Sequence, residues 1–223
     1  MRVIEFEYAV EPREKSVFVL IGDGPADIKI LKKFVEKLTQ AGELSCSAEL
    51  LLANRKHPES VWKGNAVFRA IDVLASKHKL EKFLVFYDLE HYEGMDEVVK
   101  ALERGGCNVS GKKELGNNAY HIFCKFGGRD VEIFFSVLGR KGNLECLEDC
   151  IAELLRRNGT PLKLADKDRH KAKKEIKKVI KRYGFENYEK LILNSKVKDV
   201  KEAFKSLYLV LREIDKSFSE HSQ

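Results

Sequence analysis

The sequence predicts an α/β protein built on a mainly parallel sheet flanked by helices. Short apolar segments alternate along the chain with longer segments in which apolar residues recur every three or four positions. Two of the short segments, 17–21 and 83–87, contain no charged residue, which is typical of a strand covered on both faces. With 223 residues, the chain is long enough to bury such a core.

The predicted strands follow one another with helices between most of them. Residues 2–10 alternate apolar and polar side chains, which indicates a half-exposed edge strand. The remaining predicted strands are 17–21, 44–53, 83–87, 119–126 and 131–138. A hairpin is expected at Gly127 and Gly128. This order of elements requires right-handed crossovers between parallel strands.

Helical periodicity predicts helices over 25–41, 61–75, 95–105 and 143–158. Pro25 suits the first position of a helix. Beyond residue 165 only helical patterns remain, the last with apolar residues from Val197 to Ile214 at spacings of three and four. We therefore expect an α/β domain over 1–160 and a basic helical segment over 161–223 packed on it.

Positive charge is concentrated in one stretch of the chain. The net charge is +6, but the segment from Lys163 to Tyr183 alone holds ten basic and three acidic residues. Such a segment is either a solvated face, as in the Lys- and Glu-rich proteins of thermophiles, or a surface that binds the phosphates of DNA or RNA. In the second case Lys174, Lys177 and Lys178 are the expected contacts.

The expected location is the cytoplasm, with no membrane contact. No apolar stretch approaches the roughly 18 residues of a membrane span, and no signal-peptide pattern is recognised. The five cysteines are odd in number and lack any C-x-x-C spacing. Neither a disulfide framework nor a zinc site is therefore indicated.

Acidic residues follow two of the predicted core strands. Asp23 comes shortly after the strand 17–21, and Asp88 and Glu90 follow the strand 83–87. If the core strands are ordered 2-1-3, as in flavodoxin-like sheets, these two strand ends are neighbours at a switch point. Carboxylates that converge there without basic partners predict a hard divalent cation, Mg²⁺ or Mn²⁺.

The segments IGDGPAD and YDLE resemble two motifs of the Toprim domain of topoisomerases, primases and nucleases of the old-lysogenization type. In that family an acid follows strand one in a pattern like E-G-x-x-D, and D-x-D follows strand three. The resemblance implies metal-dependent phosphodiester chemistry on nucleic acid, in which Asp23 moves a proton while Asp88 and Glu90 hold the metal. Asp23 is shorter than the family's glutamate, and Glu90 is longer than its aspartate.

A second segment, Gly142-Asn143-Leu144-Glu145, is similar to a G-x-L-E-like segment of small stand-alone Toprim-like proteins. That likeness implies Glu145 as an added metal ligand. Arg140 and Lys141 precede the predicted helix, for which Asn143 is the expected N-cap, and they are candidates for holding a phosphate.

Each of these acids also has a structural interpretation. Asp23 lies between two glycines, as turn residues often do, Glu90 belongs to an acidic loop, and Glu145 favours a helix N-terminus. The sequence therefore leaves three functions open: a metal-dependent enzyme, a non-catalytic nucleic-acid-binding or regulatory module, and a receiver-like phosphoacceptor domain that uses Asp88. No role is assigned to the histidines at positions 57, 91 and 121.

Overall fold

The computed structural model of the chain describes residues 1–6, 15–21, 25–45, 48–53, 71, 73–75, 79–92, 94–160, 162 and 168–219. The strands are β1 (Arg2–Phe6), β2 (Ser16–Ile21), β3 (Glu49–Ala53), β4 (Lys82–Asp88), β5 (Cys107–Gly116), β6 (Ala119–Phe126) and β7 (Arg129–Leu138). The helices are α1 (Pro25–Gln40), α2 (Met95–Arg104), α3 (Leu147–Arg157), α4 (Arg169–Arg182), α5 (Tyr188–Asn194), α6 (Val197–Ala203) and α7 (Lys205–Ser219). A 3₁₀ turn over Leu89–His91 follows β4. The predicted α/β fold class is confirmed.

The described strands form one seven-stranded sheet in the order β1-β3-β2-β4-β7-β6-β5. All neighbours from β1 to β7 in this order pair in parallel, whereas β6 pairs antiparallel with both β7 and β5. Strand β2 lies between β3 and β4, with Ile21 opposite Phe86. The order β3-β2-β4 is the 2-1-3 order on which the expected switch point depends, and the predicted edge position of the first strand is confirmed.

Strand β5 is missing from the sequence prediction. It occupies the edge of the sheet opposite β1, and only Cys107 at its start is buried. Because an edge strand has little to bury, its side chains are mostly polar and lack the apolar alternation by which strands are recognised. Its pairing with β6 places Gly111 opposite Phe123.

The sheet separates two hydrophobic cores. One face carries Val17, Leu50 and Phe134 and packs against α1, α3 and the C-terminal helices. The other face carries Phe18 and Phe83 and packs against α2 and the buried residues Ile71, Leu74 and Ala75. The helix predicted over 61–75 otherwise lies outside the described residues. Coverage on both faces explains why the central strands are apolar throughout.

The C-terminal helices belong to the same core as the sheet. Ile176 and Ile180 of α4 and Leu207 and Leu211 of α7 share a core cluster with Phe134 of β7. The expected C-terminal helical segment is confirmed. The apolar pattern from Val197 to Ile214, predicted as one helix, is divided into α6 and α7 at Phe204 (φ −112°, ψ 44°). Tyr183, the residue that follows α4, is exposed.

In the part of the chain that the structure describes, no helix is long and apolar enough to span a membrane.

Candidate functional site at the carboxyl edge of the sheet

The carboxyl edge of the sheet brings together the ends of β2, β4 and β7, where the acidic site is predicted. Asp88 is the last residue of β4 and is buried, and its Cα pairs with that of Leu138 in β7. Asp23, the predicted proton carrier, lies outside the described residues, so its distance from Asp88 is not defined. The strand order nevertheless makes this edge the switch point at which α/β proteins commonly bind ligands.

The carboxylate of Asp88 is bound to the start of α3. Its Oδ1 accepts a hydrogen bond of 2.9 Å from the backbone N–H of Leu147, the first residue of that helix. A helix N-terminus carries unpaired N–H groups and a partial positive charge, so it stabilises a buried carboxylate. Asp88 therefore joins the end of β4 to the helix that follows β7.

A second buried carboxylate, that of Asp149, shapes the loop between β7 and α3. It accepts hydrogen bonds from the backbone N–H groups of Arg140 (2.9 Å), Leu144 (3.2 Å) and Glu145 (2.8 Å). The expectation that Asn143 caps this helix is wrong. Residues 141–144 form turns around Asp149, and the helix begins only at Leu147.

The loop passes very close to its own beginning at Gly139. Gly139 has φ +105°, and a Cβ added there would lie 2.5 Å from the backbone N of Cys146. Glu145 adopts a left-handed conformation with φ +58°. Only glycine permits both this conformation and this approach at position 139.

Glu90 and Glu145 are adjacent through their backbones. The N–H of Glu90 donates to the carbonyl oxygen of Glu145 at 2.8 Å. The side chain of Glu145 turns back to its own loop, where Oε1 accepts from the N–H of Gly142 at 3.0 Å. The side chain of Glu90 lies beside His91, with 3.8 Å between Oε1 and Nε2. Two of the three predicted metal ligands, Glu90 and Glu145, are therefore joined by a main-chain hydrogen bond, not through their carboxylates.

These side chains do not by themselves fit a metal ion. Among the described residues, no group of three or more His, Cys, Asp or Glu side chains is placed to hold one. The Asp88 carboxylate accepts from the N–H of Leu147, and the Glu145 carboxylate accepts from the N–H of Gly142 in its own loop. A cation site at this edge would require Asp23 or another residue outside the described ranges.

Glu148 connects α3 to the basic helix α4. One carboxylate oxygen accepts from the thiol of Cys146 at 3.1 Å, and the other lies 3.4 Å from the ammonium of Lys173. Burial and the charge of Glu148 raise the pKa of Cys146, so this thiol stays protonated. Burial acts against the charged form of Lys173, but the charges of Glu148 and Asp88 and the hydrogen bond to Glu148 together outweigh it and raise the pKa of Lys173. The start of α4 is thereby held next to the carboxyl edge.

The exposed face of α4 is entirely basic. Lys174, Lys177, Lys178 and Lys181 are exposed, at spacings of three and four, opposite the buried Ile176. None of these four lysines forms an ion pair with a described residue. The helix as a whole holds eight Lys and Arg residues and a single acid, Glu175.

Arg140 and Lys141 line a cavity of about 270 Å³ at the end of β7. Lys205 and the turn residues Asn117 and Asn118 line it too. Arg140 also forms an ion pair of 3.3 Å with Glu153 of α3. Helix α3 begins six residues after Lys141, but the loop folds back so that the N–H of Arg140 binds Asp149 in the first turn of that helix.

A cluster of charged residues at the opposite, amino edge of the sheet was not foreseen from the sequence. His121 of β6 is buried, and its Nε2 lies 2.8 Å from Oε2 of Glu132 in β7. Its Nδ1 lies 3.4 Å from Oε1 of Glu213 in α7. Lys82 of β4 pairs with Glu132, and Nζ of Lys113 in β5 lies 2.5 Å from Oε1 of Glu213. Four strands and one helix thus contribute to one network.

The network lowers the pKa values of its two carboxyl groups. Burial alone would raise the pKa of Glu132, but hydrogen bonds from His121 and Lys82 lower it to about 2. The pKa of Glu213 is likewise lowered, because Lys113 and His121 outweigh the opposing effect of burial. Both acids are therefore ionised at neutral pH. His121, Glu132 and Glu213 line a cavity of about 650 Å³.

Comparison with protein-family models gave no match for the chain, and comparisons with curated proteins and with solved structures gave none either.

Proposed function

We propose that the protein binds the phosphate backbone of DNA or RNA through the exposed face of α4. The observation that carries this proposal is the row formed by Lys174, Lys177, Lys178 and Lys181, which have no acidic partner among the described residues. Lysines along one face neutralise successive phosphates and release their counterions. This contact reads charge rather than base sequence.

Repulsion between the lysines on the exposed face of α4 costs the helix stability. Lys174 and Lys178, and likewise Lys177 and Lys181, are four residues apart on the same face. Like charges at this spacing destabilise a helix by roughly 0.2–0.5 kcal/mol per pair. A bound polyanion would neutralise these lysines and remove the repulsion between them, which supports a binding role for this face of α4.

The position of α4 connects this surface with the candidate site. Lys173 contacts Glu148 in the first turn of α3, and the first residue of α3 binds Asp88. A nucleic acid lying along α4 would therefore pass beside the carboxyl edge of the sheet, near the cavity lined by Arg140 and Lys141.

The test is the salt dependence of binding to a short DNA duplex and to RNA of the same length. Replacing Lys174, Lys177 and Lys178 by Gln should weaken binding at least tenfold near 100 mM salt and lower the slope of log K against log[salt] by up to about three. The same variant should gain about 0.5 kcal/mol in free energy of unfolding, since like-charge pairs disappear. A loss of binding therefore cannot be attributed to unfolding.

The matched control removes three positive charges elsewhere on the surface. Arg104, Lys112 and Lys190 are exposed and lie on α2, β5 and α5. Replacing them by Gln changes the net charge equally but leaves α4 intact. Equal weakening by both triple variants would refute a localised binding surface.

The second candidate function is metal-dependent phosphodiester chemistry with Mg²⁺ or Mn²⁺. It is favoured by the strand order, which puts the end of β2, leading to Asp23, beside the end of β4 with Asp88. Cleavage of nucleic acid that needs the added cation and disappears in Asp88→Asn and Asp23→Asn would support it. The amide of Asp88→Asn can still accept from the Leu147 N–H, so the fold should survive.

Binding that persists in EDTA, without cleavage at any cation concentration, would leave the non-catalytic function as the correct one. Cleavage that is retained in Asp88→Asn would exclude this carboxylate from the reaction.

A further inference from the structure

The amino edge of the sheet and α7 enclose a cavity that the proposed nucleic-acid function does not use. Its volume of about 650 Å³ lies within the range of small-molecule sites, roughly 300–1,000 Å³. Half-buried carboxyl groups with lowered pKa values line it, and such groups converging in a cavity mark a candidate ligand site. Three features of its lining specify the ligand.

The first feature is a carboxylate oxygen of Glu213 that accepts no hydrogen bond from a described residue. Both contacts of Glu213, from Lys113 and from His121, use Oε1. Oε2 of Glu213 therefore has no hydrogen-bond partner among the described residues. The low pKa of this group keeps it ionised, and a ligand ammonium would satisfy the remaining oxygen.

The second feature is the ammonium group of Lys216, which has no acidic partner among the described residues. Lys216 lies one turn beyond Glu213 on α7, lines the same cavity, and is exposed. It forms no ion pair with a residue that the structure describes, Glu213 included. Residues three apart on a helix have Cβ atoms about 5–6 Å apart, so Glu213 and Lys216 together present a negative and a positive group side by side.

The third feature is an aromatic ring on the cavity wall. Phe123 is 38 % exposed, one of two large hydrophobic side chains so exposed in the described part of the chain. Its ring packs on His121 with 4.1 Å between ring centroids, which fixes its position. Phe123 thus offers a fixed apolar surface for a second ring.

We propose that this cavity binds a free α-amino acid with an aromatic side chain. The ammonium group of the ligand pairs with Glu213, and its carboxylate pairs with Lys216. Its ring packs against Phe123. The near balance of charge around the cavity favours a zwitterion. Asp130, Glu132 and Glu213 line it together with Lys113 and Lys216, and these acids would repel a phosphate dianion. The proposal is independent of nucleic-acid binding, which uses α4.

The test is calorimetric titration of the full chain with phenylalanine, tyrosine and tryptophan. Three analogues each remove one contact: phenethylamine lacks the carboxylate, 3-phenylpropionate lacks the ammonium, and alanine lacks the ring. We expect saturable binding of the aromatic amino acids and at least tenfold weaker binding of each analogue.

Variants then assign each contact to a residue. In Lys216→Gln, phenylalanine should bind about tenfold more weakly and no better than phenethylamine, because the carboxylate has lost its partner. In Phe123→Leu, the preference for phenylalanine over alanine should fall by about tenfold. Lys174→Gln, on α4, should bind phenylalanine like the unaltered protein.

The proposal is overturned if none of the three aromatic amino acids binds at millimolar concentration. It is equally overturned if Lys216→Gln and Phe123→Leu bind phenylalanine unchanged. Binding of a nucleoside monophosphate in preference to phenylalanine would show that the cavity selects an anion and would also refute it.

Discussion

Carboxylates are held in different ways at the two edges of the sheet, buried at the carboxyl edge and half-buried at the amino edge. At the carboxyl edge, Asp88 and Asp149 accept hydrogen bonds from backbone N–H groups of the loop and helix that follow β7. At the amino edge, Glu132 and Glu213 have side-chain partners: the ring of His121 lies between them, and each carboxylate pairs with a lysine.

This difference separates a structural role from a binding role. Asp149 is buried, and its three donors are backbone N–H groups, which cannot turn away from it as a side chain can, so this acceptor is required for the fold of the loop. The side chain of Lys113, by contrast, is 56 % exposed and can turn to solvent. Carboxylates with side-chain partners can exchange those partners for a ligand, whereas carboxylates with backbone partners cannot.

The largest expected effect comes from replacing a carboxylate by its isosteric amide at each edge. Asp149→Asn leaves one oxygen for three backbone donors and places an NH₂ group against them, and should cost about 3 kcal/mol of unfolding free energy. Glu213→Gln should cost about 1 kcal/mol, because Lys113 can be hydrated. Denaturant unfolding of both variants measures the difference.

Equal costs for the two variants would contradict the distinction between the edges. Asp130→Asn serves as a control: its carboxylate is exposed and paired only with Lys125 in the described residues, so a change below about 0.5 kcal/mol is expected.

A second effect tests whether the loop at the carboxyl edge is as rigid as its hydrogen bonds imply. Gly139→Ala introduces a Cβ against the backbone of Cys146 at a φ of +105°. Strain and overpacking should lower the unfolding free energy by roughly 2–3 kcal/mol. Gly142→Ala has a similar φ of +81° but nothing within 4 Å of the new Cβ, so its loss should be smaller. A loop that simply shifts would make the two losses equal.

The fold was largely predictable because the central strands are apolar and the helices have regular stripes. The alternation of strands and helices indicates parallel pairing, whereas the order of β3, β2 and β4 is seen only in the structure. Strand β5 escaped prediction because its side chains face solvent, and the break at Phe204 because both resulting helices keep the same apolar spacing.

The candidate sites were predictable only where their residues are close in sequence. Asp88 and Glu90 follow one strand and could be recognised, whereas the role of Asp149 depends on a loop that folds back on it. The amino-edge network joins Lys82, His121 and Glu213, which share no motif or spacing. Their one detectable signal in the sequence is a polar residue inside an otherwise apolar segment, since His121 interrupts the apolar residues at the start of β6.

The smallest expected effect concerns the pH dependence of the amino edge. Because the pKa of Glu132 is lowered from 4.5 to about 2 in the folded protein, its contribution to stability is present above pH 4.5 and is lost as the pH falls towards 2. The Glu132→Gln variant lacks this contribution. The difference in unfolding free energy between the two proteins should therefore shrink by on the order of 2 kcal/mol from pH 5 to pH 2. A difference that is constant over this range would mean that the hydrogen bonds from His121 and Lys82 do not favour the ionised carboxylate. The amino edge would then no longer differ from the carboxyl edge by stabilising its carboxylates through charged side chains.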